Sequence, residues 1–326
     1  MTGTRPVPPP GRYIVFGATG LAGSHVLSRL KDVSGIEVSA VGNRRPPNVH
    51  GGNIEYVRAD LSDPERVAGL ADGARYALML AGVLATAPAL ARDPVGPVLA
   101  NLRIATNCLE EAYRSGVEKC VWLSSTTGYP DADEALAEDR MFDGEPPAGW
   151  VGIGWTTRYI ERLGRMFAED LPRRMTMIAL RPTMMYGEFD HFDEDTAHFL
   201  PSLIRRVVAR ETPIEVWGDG TQTRDTVYAG DVADAILAVT AQVAGFDCFN
   251  IAEGRSHTIN EVLDTILELD GYSDARILHV EGRPSSVARR RFATEKAATV
   301  AGVSPQTPLK AGLQRTIKWY RETYAA

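Results

Sequence analysis

Glycines at intervals of three follow the strand-like run Tyr13-Ile14-Val15-Phe16, in the order Gly17-Ala18-Thr19-Gly20-Leu21-Ala22-Gly23. Such a triplet suits a phosphate. The first glycine permits a tight turn, the second lets backbone approach a pyrophosphate, and the third lets strand and helix pack closely, with the helix N-terminus facing the anion. Gly17, Thr19, Gly20, Leu21, Ala22 and Gly23 are therefore expected to hold a dinucleotide. The next strand-like run, Glu37 to Val41, ends in Gly42 where an acid would hold the adenosine ribose, and Asn43, Arg44 and Arg45 follow. Guanidinium forks fit a 2′-phosphate by bidentate charge-assisted hydrogen bonds, so the expected cofactor is NADP, with NAD the alternative. The competing reading makes Arg44 and Arg45 solvated loop charges. Asp60 and Leu61 would meet the adenine edge, and Leu80, Ala81 and Gly82 would line the cofactor.

These residues need a scaffold. Short β-branched runs at Tyr13–Phe16, Glu37–Val41, Ile54–Val57, Tyr76–Leu80, Cys120–Leu123 and Met175–Leu180 alternate with helical patterns at Leu21–Leu30, Val95–Ser115 and Ile153–Glu169. That alternation predicts the α/β class, a Rossmann-type doubly wound parallel sheet built from βαβ units. After Arg181-Pro182 the pattern loosens into shorter strands (Ile214–Trp217, Thr226–Tyr228) and helices near Leu203–Arg210, Val232–Val243, Ile259–Leu269 and Leu309–Tyr324. A smaller α/β substrate domain is expected there. The division reads as a disordered lead-in over 1–11, a cofactor domain over 12–182 and about 226–250, and a substrate domain over about 183–225 and 251–326.

Composition narrows the partners. The 326 residues carry a net charge of −7, which argues against a general nucleic-acid binder, because phosphate neutralisation needs a basic stripe. No run of 18 apolar residues could span a bilayer, and mean hydropathy is −0.15. Cys108, Cys120 and Cys248 form no C-x-x-C pair, so neither a disulfide framework nor a metal site is expected, and a reducing cytoplasm is the expected setting. The proline-rich start has no apolar core of a signal peptide.

Several further segments carry a resemblance: Asn101 on the long helix, Val121-Trp122-Leu123-Ser124-Ser125, Leu180-Arg181-Pro182-Thr183 with Tyr186-Gly187, Trp217-Gly218-Asp219-Gly220-Thr221-Gln222-Thr223-Arg224-Asp225, and Gly282-Arg283-Pro284. With the glycine triplet, their order resembles the extended short-chain dehydrogenases/reductases of the NAD(P)-dependent nucleotide-sugar epimerase/dehydratase type over nearly the whole chain. The stretch Thr196 to Arg206 is most similar to GDP-fucose synthases. The resemblance implies cofactor contacts from Asn101, Ser124 and Pro182, a nucleotide-diphosphate sugar as ligand, and a homodimer formed through a helix bundle.

The substrate side has its own physical logic. A sugar nucleotide carries two phosphates, which Arg224, Arg283 and Arg206 could meet with guanidinium forks. Trp217 offers a flat face for a base or sugar, or else a core ring. Thr183 and Phe199 complete the expected substrate contacts. Arg289, Arg290 and Arg291 read as a solvated basic run, and the acidic loop between Tyr129 and Trp150 reads as a solvated face or, alternatively, as a lid or a source of a carboxylate base.

One departure from the family stands out. Members use Tyr-x-x-x-Lys on the helix after the serine-bearing strand, and here Ile153 and Thr157 occupy those positions. No lysine occurs between Lys119 and Lys296, and no tyrosine has a lysine four residues on, so no register shift restores the pair. Tyr159 lies about 240° round the helix from Ile153. Isoleucine cannot titrate, so oxidation of a sugar alcohol lacks its usual base. A substrate that already carries a ketone needs only a base on one face and an acid on the other. His198, with a reference pKa near 6.5, suits one role, and Ser125 and Thr127 could hydrogen-bond the enolate oxygen. Fucose synthases place a cysteine near here, which this chain replaces with threonine. Tyr129 is the remaining candidate for the second acid or base.

Overall fold

The computed structural model describes residues 6–83, 90, 92–194, 197–281 and 290–324. Strand β1 (Gly11–Phe16) runs through the glycine turn into α1 (Leu21–Leu30), followed by β2 (Ile36–Gly42), β3 (Ile54–Arg58), the short α2 (Pro64–Val67) and β4 (Tyr76–Met79). Helix α3 (Gly96–Arg114), β5 (Lys119–Leu123), a 3-10 turn at Thr126–Gly128, α4 (Val151–Glu169) and β6 (Thr176–Pro182) come next. The chain continues with β7 (Met184–Tyr186), α5 (Phe199–Val208), β8 (Ile214–Trp217), β9 (Thr223–Tyr228), α6 (Ala229–Gln242) and β10 (Phe246–Ile251). It closes with β11 (Ser256–Thr258), α7 (Ile259–Asp270), β12 (Ile277–Val280), α8 (Glu295–Ala301) and α9 (Leu309–Tyr324).

Seven strands form one parallel sheet in the order β10-β6-β5-β4-β1-β2-β3. This is the expected doubly wound α/β architecture. Strand order reverses between β1 and β4, so their carboxyl ends open the crevice in which such sheets bind ligands. Each face of the sheet is sealed by helices. Val26, Leu27 and Leu30 of α1 join Val232, Ile236 and Val239 of α6 in a core on one face. Ala105, Cys108 and Leu109 of α3 join Ile160 and Phe167 of α4 on the other. Burial on both faces explains why β1, β4 and β6 read as continuous apolar runs rather than alternating ones.

Two small sheets, β11-β9-β7 and β12-β8, lie with α5, α7 and α9 around a third apolar cluster that includes Leu203, Ile204, Leu263, Leu313 and Ile317. Helix α7 starts at a reciprocal cap, with Thr258 accepting from the Glu261 amide and Glu261 accepting from the Thr258 amide, and ends at Gly271 with φ 69°. Among the described residues no helix is long and apolar enough to cross a membrane.

Candidate active site

The three glycines of the first turn do different jobs. A Cβ at Gly17, where φ is +87°, would lie 2.6 Å from the Ala81 amide nitrogen, and one at Gly23 would lie 2.2 Å from the Gly17 carbonyl oxygen. Both are required by packing. Gly20 has an ordinary φ of −86°, and a Cβ there would meet only the Gly17 carbonyl oxygen, at 3.4 Å. Neither backbone conformation nor packing demands that glycine. Helix α1 also starts without a side-chain cap, leaving the amides of its first turn without intrahelical partners. An open cradle beside uncapped amides fits a dinucleotide pyrophosphate.

Strand β2 ends at Gly42, whose Cβ would lie 2.6 Å from Thr19 Cγ2, so no acid is accommodated at the ribose position. Beyond it, Asp60 accepts from the Ser62 amide and hydroxyl, which hold its carboxyl below the usual range with help from Arg44 and Asn43. Arg45 turns the other way, its Nη2 lying 2.5 Å from His191 Nδ1. Leu61 is buried in the core against α3. Leu80 extends β4 by donating its amide to Phe16, and Ala81 lies against Gly17. Asn101 accepts from the Val83 amide and donates to the Val83 carbonyl, so it fixes the chain just past Gly82.

At the end of β5 the polar residues divide. Ser124 is buried and donates to Glu161 Oε1 at 2.7 Å, which directs it into the protein rather than toward a cofactor. Ser125 Oγ accepts from the Thr127 amide at 3.2 Å and its hydroxyl at 3.0 Å. With both acceptor positions filled, the Ser125 hydrogen remains to donate to a ligand oxygen.

Tyr129 does not fit the acid/base role. It is 0% exposed, donates to Asn250 Oδ1 at 2.6 Å and accepts from Arg181 Nη1 at 2.6 Å. Burial pushes its phenol further above the ordinary value. Arg181 in turn forms a bidentate pair with Glu161, both 1% exposed. These residues form the floor under the Ser125 turn.

Helix α4 presents half-buried Ile153 and buried Thr157 where the family has its pair. Arg158, one residue further, is buried and donates to the carbonyls of Gly128, Gly144 and Asp143. Tyr159 is 55% exposed and faces away. The acidic loop is more structural than its charge implies: Glu138 is buried and accepts from the Asn250 amide, Glu145 accepts from Trp155, and Arg140 pairs with Glu134 and Asp143. Nor is Arg290 a solvated charge, since it is half-buried against the carbonyls of the Ser125 turn.

On the substrate side, His198 caps α5 with its backbone and is half-buried. Burial, and then His191, lower its pKa, so the imidazole is neutral at pH 7 and able to accept a proton. Phe199 packs on the third cluster. Arg206 is committed to Glu211 and the Glu215 carbonyl. Trp217, at the end of β8, is 48% exposed, which removes the core-ring reading. Arg224 is half-buried and donates to the Thr223 carbonyl. Pro182 closes β6, and Thr183 beside it is buried and donates to Asp225 Oδ1 at 3.3 Å. Burial pushes the Asp225 carboxyl up to about 7, helped by the charge of Glu253. Arg283 lies outside the described residues. Among the described residues no group of His, Cys, Asp and Glu side chains could hold a metal ion.

Arg158, Arg290 and Asp225 are the residues that sequence reasoning missed. Each showed in the sequence only as a charge, Arg158 beside the absent lysine, Arg290 within the basic run and Asp225 at the end of the segment from Trp217.

This geometry agrees with what the chain is similar to. The profile of the NAD dependent epimerase/dehydratase family matches residues 13–252, and the protein belongs to that family. A GDP-L-fucose synthase of Sinorhizobium fredii is 30% identical over 244 residues, covering 70% of this chain and 73% of its own. A dTDP-4-dehydro-6-deoxy-D-allose reductase of a Streptomyces species is 28% identical over 319 residues, covering 94% and 95%. Among solved structures, MoeE5 in complex with UDP-glucose and NAD superposes with a TM-score of 0.80 at 30% identity, over 96% of this chain and 99% of that one.

Proposed function

We propose that the protein is a nucleotide-sugar epimerase that binds NADP(H) and acts on a nucleotide-diphosphate sugar already bearing a ketone. The observation that carries this reading is the pairing of intact ligand features with an absent redox relay. Gly20 keeps an open cradle and Ser125 keeps a hydroxyl to donate, while Ile153 and Thr157 stand where oxidation of an alcohol needs a phenol and an ammonium. NADP(H), when bound, supplies hydride chemistry. Proton exchange beside a ketone does not require it. Neutral His198 takes the proton from the carbon next to the carbonyl, Ser125, which accepts from Thr127, donates to the oxygen on which charge develops, and solvent returns a proton to the opposite face. Trp217 and Arg224 meet the nucleotide and its diphosphate.

Support comes also from relatives named for GDP-L-fucose, GDP-L-colitose and dTDP-sugar chemistry. Exposed Val95, Leu99, Val151, Trp155 and Tyr159 on or beside the neighbouring helices α3 and α4 support a homodimer formed there. The second reading, an NADP(H)-binding sensor, is favoured by Thr157 being buried and Arg158 being spent on backbone carbonyls. The test is incubation in D2O with a panel of 4-keto and ordinary nucleotide sugars. Deuterium entering beside the ketone, and slowed at least about a hundredfold in His198→Asn, is expected. Absence of label and product with every sugar overturns the epimerase, and NADP(H) binding without affinity for any sugar nucleotide establishes the sensor.

A further inference from the structure

Arg290 bridges the substrate-binding sheet and the hydroxyl pair of the strand end. Its Nη1 donates to the Thr126 carbonyl at 3.2 Å, and its Nη2 donates to the carbonyls of Tyr129 at 2.8 Å and Pro130 at 3.4 Å. Those carbonyls belong to, and directly follow, the 3-10 turn that Ser125 caps. Asp131 lies 3.6 Å away, and Nε is buried with no hydrogen-bond partner among the described residues. The residues that follow it, 291–293, are held as a strap. Leu136 donates to the Arg291 carbonyl, Ala293 donates to the Leu136 carbonyl, and the Phe292 ring lies 5.5 Å from that of Tyr129, inclined at 57°. At the other end, Ser256 Oγ of β11 donates to the Arg290 carbonyl at 3.4 Å. Ser256 pairs with Asp225 and its neighbour His257 with Arg224 in the antiparallel register of β11 and β9. A continuous path therefore runs from Arg224 through β11 and the Arg290 backbone to the turn that bears Ser125 and Thr127.

We propose that Arg290 is a positioning residue, which couples occupation of the diphosphate site at Arg224 to the orientation of the Ser125–Thr127 pair. The proposal rests on the nucleotide-sugar reading above. A desolvated guanidinium spread over three carbonyls fixes their relative positions as one unit, because each charge-assisted bond is directional. An ammonium is a point donor and cannot span them. A shift of β9 on binding the diphosphate displaces Ser256 and hence the strap, and the guanidinium carries that displacement to the turn. The coupling follows packed, hydrogen-bonded atoms, so each link can be cut separately.

Hydrogen exchange of the segment 124–131, read by mass spectrometry with and without saturating uridine diphosphate or guanosine diphosphate, tests this. In the native protein the nucleotide slows exchange of this segment at least about threefold. In Arg290→Gln the segment exchanges about tenfold faster and the nucleotide no longer slows it, while nucleotide affinity changes less than about twofold and exchange in β2 stays unaltered. In Ser256→Ala the basal rate is unchanged and the nucleotide effect falls by about half. A nucleotide that binds without protecting this segment, or protection that survives in Arg290→Gln, overturns the coupling alone. If neither of these nor thymidine diphosphate binds the native protein, the nucleotide-sugar reading falls and the coupling falls with it.

Discussion

The Nε of Arg158 donates to the carbonyl oxygen of Gly128 at 2.8 Å, so the helix that lost the family's phenol and ammonium still grips the turn that follows Ser125. The same side chain also reaches the carbonyls of Gly144 and Asp143. A cation beside the family's lysine position thus serves architecture. Arg158→Ala is expected to cost about 3 kcal/mol in urea unfolding, because it strands buried carbonyls that had charged donors. Arg158→Lys recovers only part, since one ammonium cannot cover three oxygens. A loss below about 0.5 kcal/mol in Arg158→Ala contradicts the assignment.

Substitution separates the glycines of the first turn. Gly20→Ala leaves the unfolding midpoint of the cofactor-free protein nearly unchanged, because the new methyl has only ordinary contact with Gly17, yet dinucleotide affinity falls at least about tenfold. Gly23→Ala places a methyl 2.2 Å from a carbonyl oxygen and lowers stability with or without cofactor. Equal losses of stability in the two variants count against an anion cradle at Gly20.

Arg44 and Arg45 are adjacent but oriented apart. Arg44 faces Asp60 near the end of β2, whereas Arg45 is engaged with His191. Arg44→Ala is expected to weaken NADP+ by about tenfold and leave NAD+ nearly unaffected, and Arg45→Ala is expected to have the smaller effect. Titration calorimetry with both dinucleotides decides. Equal weakening of NAD+ and NADP+ removes the 2′-phosphate role.

His25 makes acid stability legible. It is 3% exposed and its Nε2 lies 3.1 Å from the Glu188 carbonyl oxygen, which fixes the neutral tautomer with hydrogen on Nε2. Burial, and next the charge of Arg29, push its pKa down to about 3. Below pH about 6.5 the unfolded chain takes a proton that the folded chain refuses. Stability therefore falls as pH drops from about 6.5 toward about 3, by on the order of 5 kcal/mol from this group. His25→Gln keeps a donor for Glu188 and should flatten that part of the pH–stability curve. An unchanged slope in the variant assigns the acid loss to other groups.

Much of the fold was readable because its signals are local and periodic. Helices α1 and α9 begin and end where apolar spacing places them, and β8 does too. Strands β7 and β11 have three residues each, and β12 is mostly exposed, so none carries a period long enough to detect. The glycine triplet announced the cradle because its spacing is local, with Gly17 and Gly23 required by packing and Gly20 left open between them. Tyr129 and Arg290 were misread for the opposite reason. A phenol beside a polar turn looks titratable until Asn250 and Arg181, distant in sequence, close around it. A triple arginine run looks solvated until a row of carbonyls is brought to its middle member.

The contact between Gly42 and Thr19 bears on how this cofactor site can change over generations. Any side chain at position 42 must pass through the space held by Thr19, whose methyl sits 2.6 Å from the first carbon it would add. An acid at that position, where it would grip an unphosphorylated ribose, therefore needs the Thr19 side chain to move aside or become smaller. The residue at the strand end and the threonine of the phosphate turn are thus coupled, so a change at one is felt at the other.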